Sequence, residues 1–239
     1  NYTPRITWQA SSKNKFSFSW DEQPVCRTCS GTASLSGSPS PTTAPEADGH
    51  GEFSPQRVQT ARWTNPLTSR LLLEAGVGNT YYYWGGKEQD PNPTRDLVRV
   101  TDVATVINPQ GTVGPMTDRS QSWLVNATDG ANWFFNASYV TGAHSWKFGY
   151  QGNYWADDRE IHANSQNLAY SFFGGRPTGI TEYANPYFNN ARAMMSSFFA
   201  QDQWTLNRLT LQGAIRYDQP WSWFPAVTQP KSTFFPGVS

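Results

Sequence analysis

Apolar and polar side chains alternate with period two along much of this chain, the spacing of a strand that shows one face to an apolar phase and the other to water. From Lys15, the residues Phe16, Phe18 and Trp20 share one face, and Lys15, Ser17, Ser19 and Asp21 share the other. Trp133, Phe135, Ala137 and Tyr139 alternate with Asn132, Asn136 and Ser138, and Trp146, Phe148, Tyr150 and Tyr154 alternate with Lys147, Gly149, Gln151 and Asn153. Leu209, Leu211, Ile215 and Tyr217 oppose Thr210, Gln212, Arg216 and Asp218.

Three further segments follow the pattern less cleanly. Leu71, Leu73, Ala75 and Val77 face away from Glu74 and Gly76, with Leu72 on the polar side. Neither face of the stretch from Arg57 to Thr64 is apolar, and Asp202 shares the face of Phe198 and Trp204. The expectation is about eight strands. It rises to about ten if Asp129-Gly130 makes a type I′ hairpin and the segment from Asp96 to Ile107 pairs as a further strand. One helical expectation accompanies them, a short loop helix near Asn190 to Met195.

Connections alternate between short and long. Ser11-Ser12-Lys13-Asn14, Asn65-Pro66-Leu67-Thr68, Gly142-Ala143-His144 and Leu206-Asn207-Arg208 read as tight turns. Residues 24–56, 85–121 and 157–190 are Gly-, Pro-, Ser-, Asn- and Asp-rich links far beyond ordinary loop length. Short turns at one end and long loops at the other are the layout of an outer-membrane barrel with short periplasmic turns and long extracellular loops.

Composition favours the same class. Of the 239 residues 37% are hydrophobic, 15% aromatic and only 15% charged, against about a quarter charged in typical soluble domains. Mean hydropathy is −0.62, low for a chain that must bury a central core. Abundant aromatics argue against disorder. A surface partly in lipid and partly around a wet lumen reconciles these values. Formal net charge is zero, so no electrostatic case exists for nucleic acid. No apolar run of about 18 residues occurs, which excludes a transmembrane helix and leaves a transmembrane barrel open. The start at Asn1 carries no export signal, and Phe235-Pro236-Gly237-Val238-Ser239 does not alternate like a closing strand, so the chain is expected to be an internal piece of a longer protein.

Candidate chemistry is sparse. His50, His144 and His162 lie far apart without metal-ligand spacing. No nucleophile elbow, phosphate loop, dinucleotide fingerprint or zinc-protease motif is present, so no catalytic, cofactor-binding or metal-binding residue is assigned and no enzyme activity is expected. Asp21-Glu22 and Asp157-Asp158 are adjacent, so their carboxylates point to opposite faces of a strand and are expected to hydrate outer strand ends. Cys26 and Cys29 form a C-x-x-C that could be half a zinc site, a redox pair or a small disulfide; a disulfide in an exterior loop is preferred. Tyr81-Tyr82-Tyr83-Trp84, Trp20, Tyr154-Trp155 and Trp221 to Phe224 sit at strand ends before long links, while Trp8, Trp63, Trp146 and Trp204 sit beside the short turns. Two aromatic girdles at the membrane interfaces are the preferred reading, a sugar-stacking platform the alternative.

Two segments carry a family resemblance: Ser138-Tyr139-Val140-Thr141-Gly142-Ala143-His144-Ser145-Trp146-Lys147-Phe148-Gly149-Tyr150, and the run from Ser197-Phe198-Phe199-Ala200-Gln201-Asp202-Gln203-Trp204 through Leu211 to Ile215-Arg216-Tyr217-Asp218. Both resemble barrel hairpins of TonB-dependent receptors, in particular the Oar-like class. The strand, turn, strand layout covers nearly the whole chain, and the quoted motifs about a sixth of it.

The resemblance implies that residues 1–239 are part of one all-β, antiparallel transmembrane barrel domain in the Gram-negative outer membrane. In such receptors about 22 strands close around an N-terminal plug. It implies capture of a scarce extracellular ligand, a siderophore, oligosaccharide or similar, and its import to the periplasm with energy relayed by the TonB complex. The chain shows no TonB box, plug or aromatic-terminated last strand, and substrate-binding residues vary within the class, so none is carried over. The alternatives are a soluble secreted all-β carbohydrate-binding module and a small outer-membrane barrel with an adhesive role.

Overall fold

The computed structural model describes residues 1–27, 43–47, 50–87, 95–107, 113–120 and 123–238. Its strands are β1 (Arg5–Gln9), β2 (Lys15–Glu22), β3 (Val25–Arg27), β4 (His50–Pro66), β5 (Leu71–Lys87), β6 (Arg99–Ile107), β7 (Val113–Asp118), β8 (Trp123–Thr141), β9 (His144–His162), β10 (Leu168–Phe173), β11 (Arg176–Glu182), β12 (Tyr187–Leu206) and β13 (Leu209–Trp223). Among the described residues the only helical element is a short 3-10 turn, Pro45–Ala47, and no helix is long and apolar enough to cross a membrane.

The principal sheet runs β1-β2-β4-β5-β8-β9-β12-β13, with β3 added beside β4. Each neighbouring pair along this path is antiparallel. All four tight turns, between β1 and β2, β4 and β5, β8 and β9, and β12 and β13, lie at one end. The long links leave from the other. Among the described residues β1 and β13 each pair on one side only, so the sheet is an open arc of a barrel.

Register aligns the apolar alternation across the whole arc. Ile6 pairs with Phe18, Phe18 with Ala61, Ala61 with Val77, and Val77 with Trp133. Phe135 pairs with Tyr150, Tyr150 with Phe198, and Phe198 with Tyr217. A slip of one residue at any strand would turn its apolar set to the wrong side. The ten steps from Leu71 to Tyr81 in β5 span roughly 33 Å at about 3.3 Å per residue, or roughly 25 Å of height at a tilt of about 40°. That is the height of a lipid-facing band in outer-membrane barrels.

Three expectations need correction. Asp129-Gly130 is not a hairpin, because β8 runs straight through it: Asp129 pairs with Tyr81 on one side and Ala156 on the other. A ladder on both flanks outweighs the local turn preference. Asn190 to Met195 is strand rather than helix, paired to Asp158 through Asn153 of β9. The extra strand near Asp96 to Ile107 exists as β6, but it belongs to a second sheet of order β11-β10-β6-β7. That sheet is built within the links expected at 85–121 and 157–190, where β10 pairs with β6 in parallel, Ala169 opposite Arg99 through Phe172 opposite Asp102. β4, β5, β9 and β12 also continue into the segments expected as links.

Candidate functional site

Among the described residues nothing packs over the apolar face, and the buried hydrophobic ones are five alanines, Ala44, Ala47, Ala156, Ala163 and Ala169. By contrast Val77 is 60% exposed, Phe198 56% and Ile215 74%. A soluble protein cannot leave a continuous aromatic and aliphatic face of this extent in water. Trp8, Trp63, Trp146 and Trp204 all lie on this face, by register with Phe16, Phe16, Tyr139 and His144. At the opposite end the aromatics divide. Trp20, Tyr81, Tyr83 and Tyr154 share the apolar face, whereas Tyr82, Trp84 and Trp155 fall on the other.

Polar side chains cover the opposite, lumen-side face and bond across strands. The Ser19 and Thr60 hydroxyls are 2.6 Å apart, Gln212 donates to Gln203 at 2.9 Å, and Arg216 donates to Gln151 at 3.1 Å and Asp218 at 2.8 Å. Ser197, fully buried, donates to Asp218 at 2.5 Å. Among the apolar side chains on this face, two phenylalanines have a reason across the strand. Phe134 pairs with Gly76 and Phe199 with Gly149, and each ring occupies the space a Cβ of that glycine would need. The distances from such a Cβ would be 2.4 Å to Phe134 Cε1 and 2.2 Å to Phe199 Cζ. Phe134 also carries the Arg62 guanidinium over its ring at 5.4 Å. An aromatic ring laid over a cross-strand glycine restores the packing that the glycine lacks.

At the long-link end the connections are tied to one another. Asp102 of β6 accepts the backbone N–H groups of Gly174 at 2.9 Å and Gly175 at 2.7 Å, in the β10–β11 turn, and that of Ala104 at 2.9 Å. Gly174 and Gly175 have φ of 57° and 78°, the left-handed conformation of a tight hairpin turn. The N–H donors of Ala104 and Gly175, then Gly174, hold the Asp102 carboxyl below its ordinary value. Asp118 of β7 is pushed the other way, by burial first and then by the nearby Glu46 and Asp102 carboxylates. Ala44 N–H donates to Thr117 O at 2.8 Å, so residues from all three expected loops meet here.

A second knot forms around Asn164, whose side chain donates to Leu168 O at 2.6 Å and accepts from Gln166 N–H at 3.1 Å. Asn185 donates to Asn167 Oδ1 at 2.7 Å, and Asn167 donates to Thr233 at 3.2 Å. Gln229 brackets Phe188, accepting its N–H at 3.2 Å and donating to its carbonyl at 2.7 Å. The segment after β13 is thereby fastened to the same end.

The Asp157-Asp158 pair splits between faces as expected, but Asp157 does not hydrate a strand end. It is buried, accepting from Thr128 Oγ1 at 2.8 Å and Arg159 Nε at 2.6 Å, while Asp158 meets Arg192 at 2.7 Å. His144 and His162 occupy opposite ends of β9. His144 meets Asp202 at 2.5 Å between the Trp146 and Trp204 rings, and His162 meets Glu160 at 3.1 Å. His50 begins β4. Of the expected Cys26–Cys29 disulfide, Cys26 falls in β3 and Cys29 lies outside the described residues. Among the described residues no group of three or more His, Cys, Asp or Glu side chains is arranged for a metal ion. Alternation could not have found the Asp102 clamp or the Asn164 knot. Gly174-Gly175 is the one local signal for the first.

Comparison with known proteins returned a family and two folds. Residues 1–237 match the family described as Outer membrane beta barrel domain. Among solved structures, the outer membrane transporter YddB from Escherichia coli is similar with TM-score 0.56 and 14% identity, over 91% of this chain and 26% of that one. BauA, the ferric preacinetobactin receptor from Acinetobacter baumannii, is similar with TM-score 0.52 and 12% identity, over 96% of this chain and 35% of that one. This chain thus spans about a quarter to a third of the length of those proteins. No curated protein sequence matches it.

Proposed function

This chain belongs to the outer membrane β-barrel domain family, and from that membership we propose that it is part of a TonB-dependent receptor that captures a scarce ligand outside the cell and delivers it to the periplasm. Its place is the Gram-negative outer membrane. The observation that carries the reading is the pairing of an uncovered apolar face with a hydrogen-bonded polar face on the same strands. Lipid meets the first, and backbone hydrogen bonds close within the sheet because the bilayer supplies no partners. The second lines a wet lumen.

The long links, about residues 24–56, 85–121 and 157–190, form the extracellular mouth in this reading, and the tight turns face the periplasm. A mouth whose connections are cross-tied by Asp102 to Gly174 and Gly175 and by Ser165 to Asp96 is a prepared surface rather than a set of independent loops, which lowers the ordering cost of gripping a ligand. The ligand class is a siderophore, oligosaccharide or similar molecule. The likeness to an outer membrane transporter and a ferric preacinetobactin receptor supports import over an adhesive role or sugar-binding module, and over catalysis.

The experiment is capture of the full-length protein, in detergent, by the immobilised periplasmic domain of TonB. Retention that rises when the extracellular ligand is added supports the reading. Failure of the folded full-length protein to bind that domain under any condition would remove the import function and leave a passive or adhesive barrel.

A further inference from the structure

Among the described residues, one arginine on the lipid-facing side keeps a buried donor without a hydrogen-bond partner, and it stands at the head of a groove. Arg57 of β4 shares its face with Gln59, Ala61 and Trp63, by register with Tyr81, Asn79, Val77 and Ala75 of β5. Its guanidinium lies 5.4 Å from the Trp20 ring centroid and 5.9 Å from that of Tyr81. Its Nε is out of solvent with no hydrogen-bond partner. Glu22, opposite it in the ladder, interacts with its charge while accepting from the Trp20 indole at 3.1 Å, which leaves the Nε donor unfilled. Asp129, one strand beyond Tyr81, is held by Asn79 at 2.5 Å.

Toward the bilayer centre from Arg57, an open groove of about 570 Å3 runs along the same face. Ile6, Phe18, Trp20 and Trp133 wall it, and the small side chains of Ala61 and Ala131 form its floor. Trp20 belongs both to the groove and to the ring pair around Arg57.

We propose that this groove and Arg57 together bind one phosphorylated acyl lipid of the outer leaflet, with an acyl chain along Ala61 and Ala131 and a phosphate against the Arg57 guanidinium. The geometry supplies each requirement. A guanidinium is weakly hydrated, matches phosphate oxygens with paired donors and stacks on aromatic faces. Trp20 and Tyr81 are of the residue types that anchor at the water interface. Small floor residues between bulky walls make a furrow of acyl width on a face otherwise studded with rings. Charge complementarity selects an anionic headgroup, and the position at the long-link end selects the outer leaflet, so the leaflet assignment rests on the orientation proposed above.

The test uses the full-length protein purified in detergent, exchanged against bis-phosphorylated hexa-acyl lipid A, the same lipid without phosphates, or phosphatidylglycerol, and weighed intact by native mass spectrometry. Heat-modifiable gel mobility shows that each variant is folded. Phosphorylated lipid A should be retained, with roughly tenfold loss of affinity in Arg57→Gln and a comparable loss in Ala131→Trp, which fills the groove. Arg57→Lys should recover part of the loss, and Arg70→Gln at the tight-turn end should change nothing. Preference for phosphatidylglycerol would overturn the outer-leaflet assignment. Retention indifferent to both Arg57→Gln and Ala131→Trp would overturn the site itself and leave the import reading standing.

Discussion

Asp102 accepts the backbone N–H of Gly175 at 2.7 Å across 73 residues of sequence, joining β6 to the turn between β10 and β11. Its other oxygen takes the Gly174 N–H at 2.9 Å. One carboxylate thereby fastens two links that emerge from different places around the barrel rim.

Removing the clamp should loosen the mouth and spare the barrel. Asp102→Ala is expected to speed amide exchange at Gly174 and Gly175 while β8, β9 and β12 keep their protection, measured by hydrogen–deuterium exchange of the folded protein in micelles. The pH dependence follows from the sign of the shift. The folded value lies below the ordinary 3.8 because three N–H groups favour the charged form. The clamp's stabilisation is therefore complete above the unfolded value and is lost as pH falls through the lower, folded one. Protection at Gly174 and Gly175, corrected for intrinsic rates, should hold at pH 5 and fail only in stronger acid.

The aromatic-on-glycine pairs make a second prediction. A side chain at Gly149 would place its Cβ 2.2 Å from Phe199 Cζ and 2.5 Å from Asn136 Oδ1. Gly149→Val should cost about 1–3 kcal/mol of overpacking, read from urea unfolding in micelles. Adding Phe199→Ala should recover part of that loss, because the ring then no longer fills the space.

Charge should discriminate the two faces. Phe135 sits on the apolar face between Ala75 and Tyr150, and Phe135→Arg should destabilise the folded barrel by about 2–4 kcal/mol if placed near the bilayer midplane. Gln203, paired with Ser145 and Gln212 on the polar face, should accept Arg with little change. Reversible folding into phospholipid vesicles, followed by tryptophan fluorescence, compares the two.

The spanning part of this fold was legible because one physical constraint governs every strand: each must show lipid one side and water the other. The untidy cases depart from it: Leu72 falls on the water side, and Asp202 falls on the lipid side, where His144 pairs it. Phe134 and Phe199 face the water side because the glycines that accommodate them lie on neighbouring strands, far away in sequence. The turn preference of Asp129-Gly130 misled because local propensity carries no information about the ladders of Tyr81 and Ala156 on either flank. The second sheet was beyond reach, since its parallel pairing of Ala169 with Arg99 joins two links with no shared periodicity. The rim's polar knots were hidden for the same reason. Asn167 meets Thr233, and buried Asp157 meets Thr128, across stretches that only the folded chain brings near.

The central claim, that one face of these strands meets lipid and the other water, is tested most directly by a spin-label scan of β8. Single cysteines would be placed in turn from Asn132 to Tyr139, in a protein with Cys26 and Cys29 replaced by serine, and the labelled protein reconstituted into liposomes. The account predicts period-two accessibility: labels at Trp133, Phe135, Ala137 and Tyr139 relax with oxygen dissolved in the bilayer, and labels at Asn132, Phe134, Asn136 and Ser138 relax with a water-soluble nickel chelate or are shielded. Uniform exposure to the nickel chelate at all eight positions would contradict it and return the chain to the class of soluble β modules.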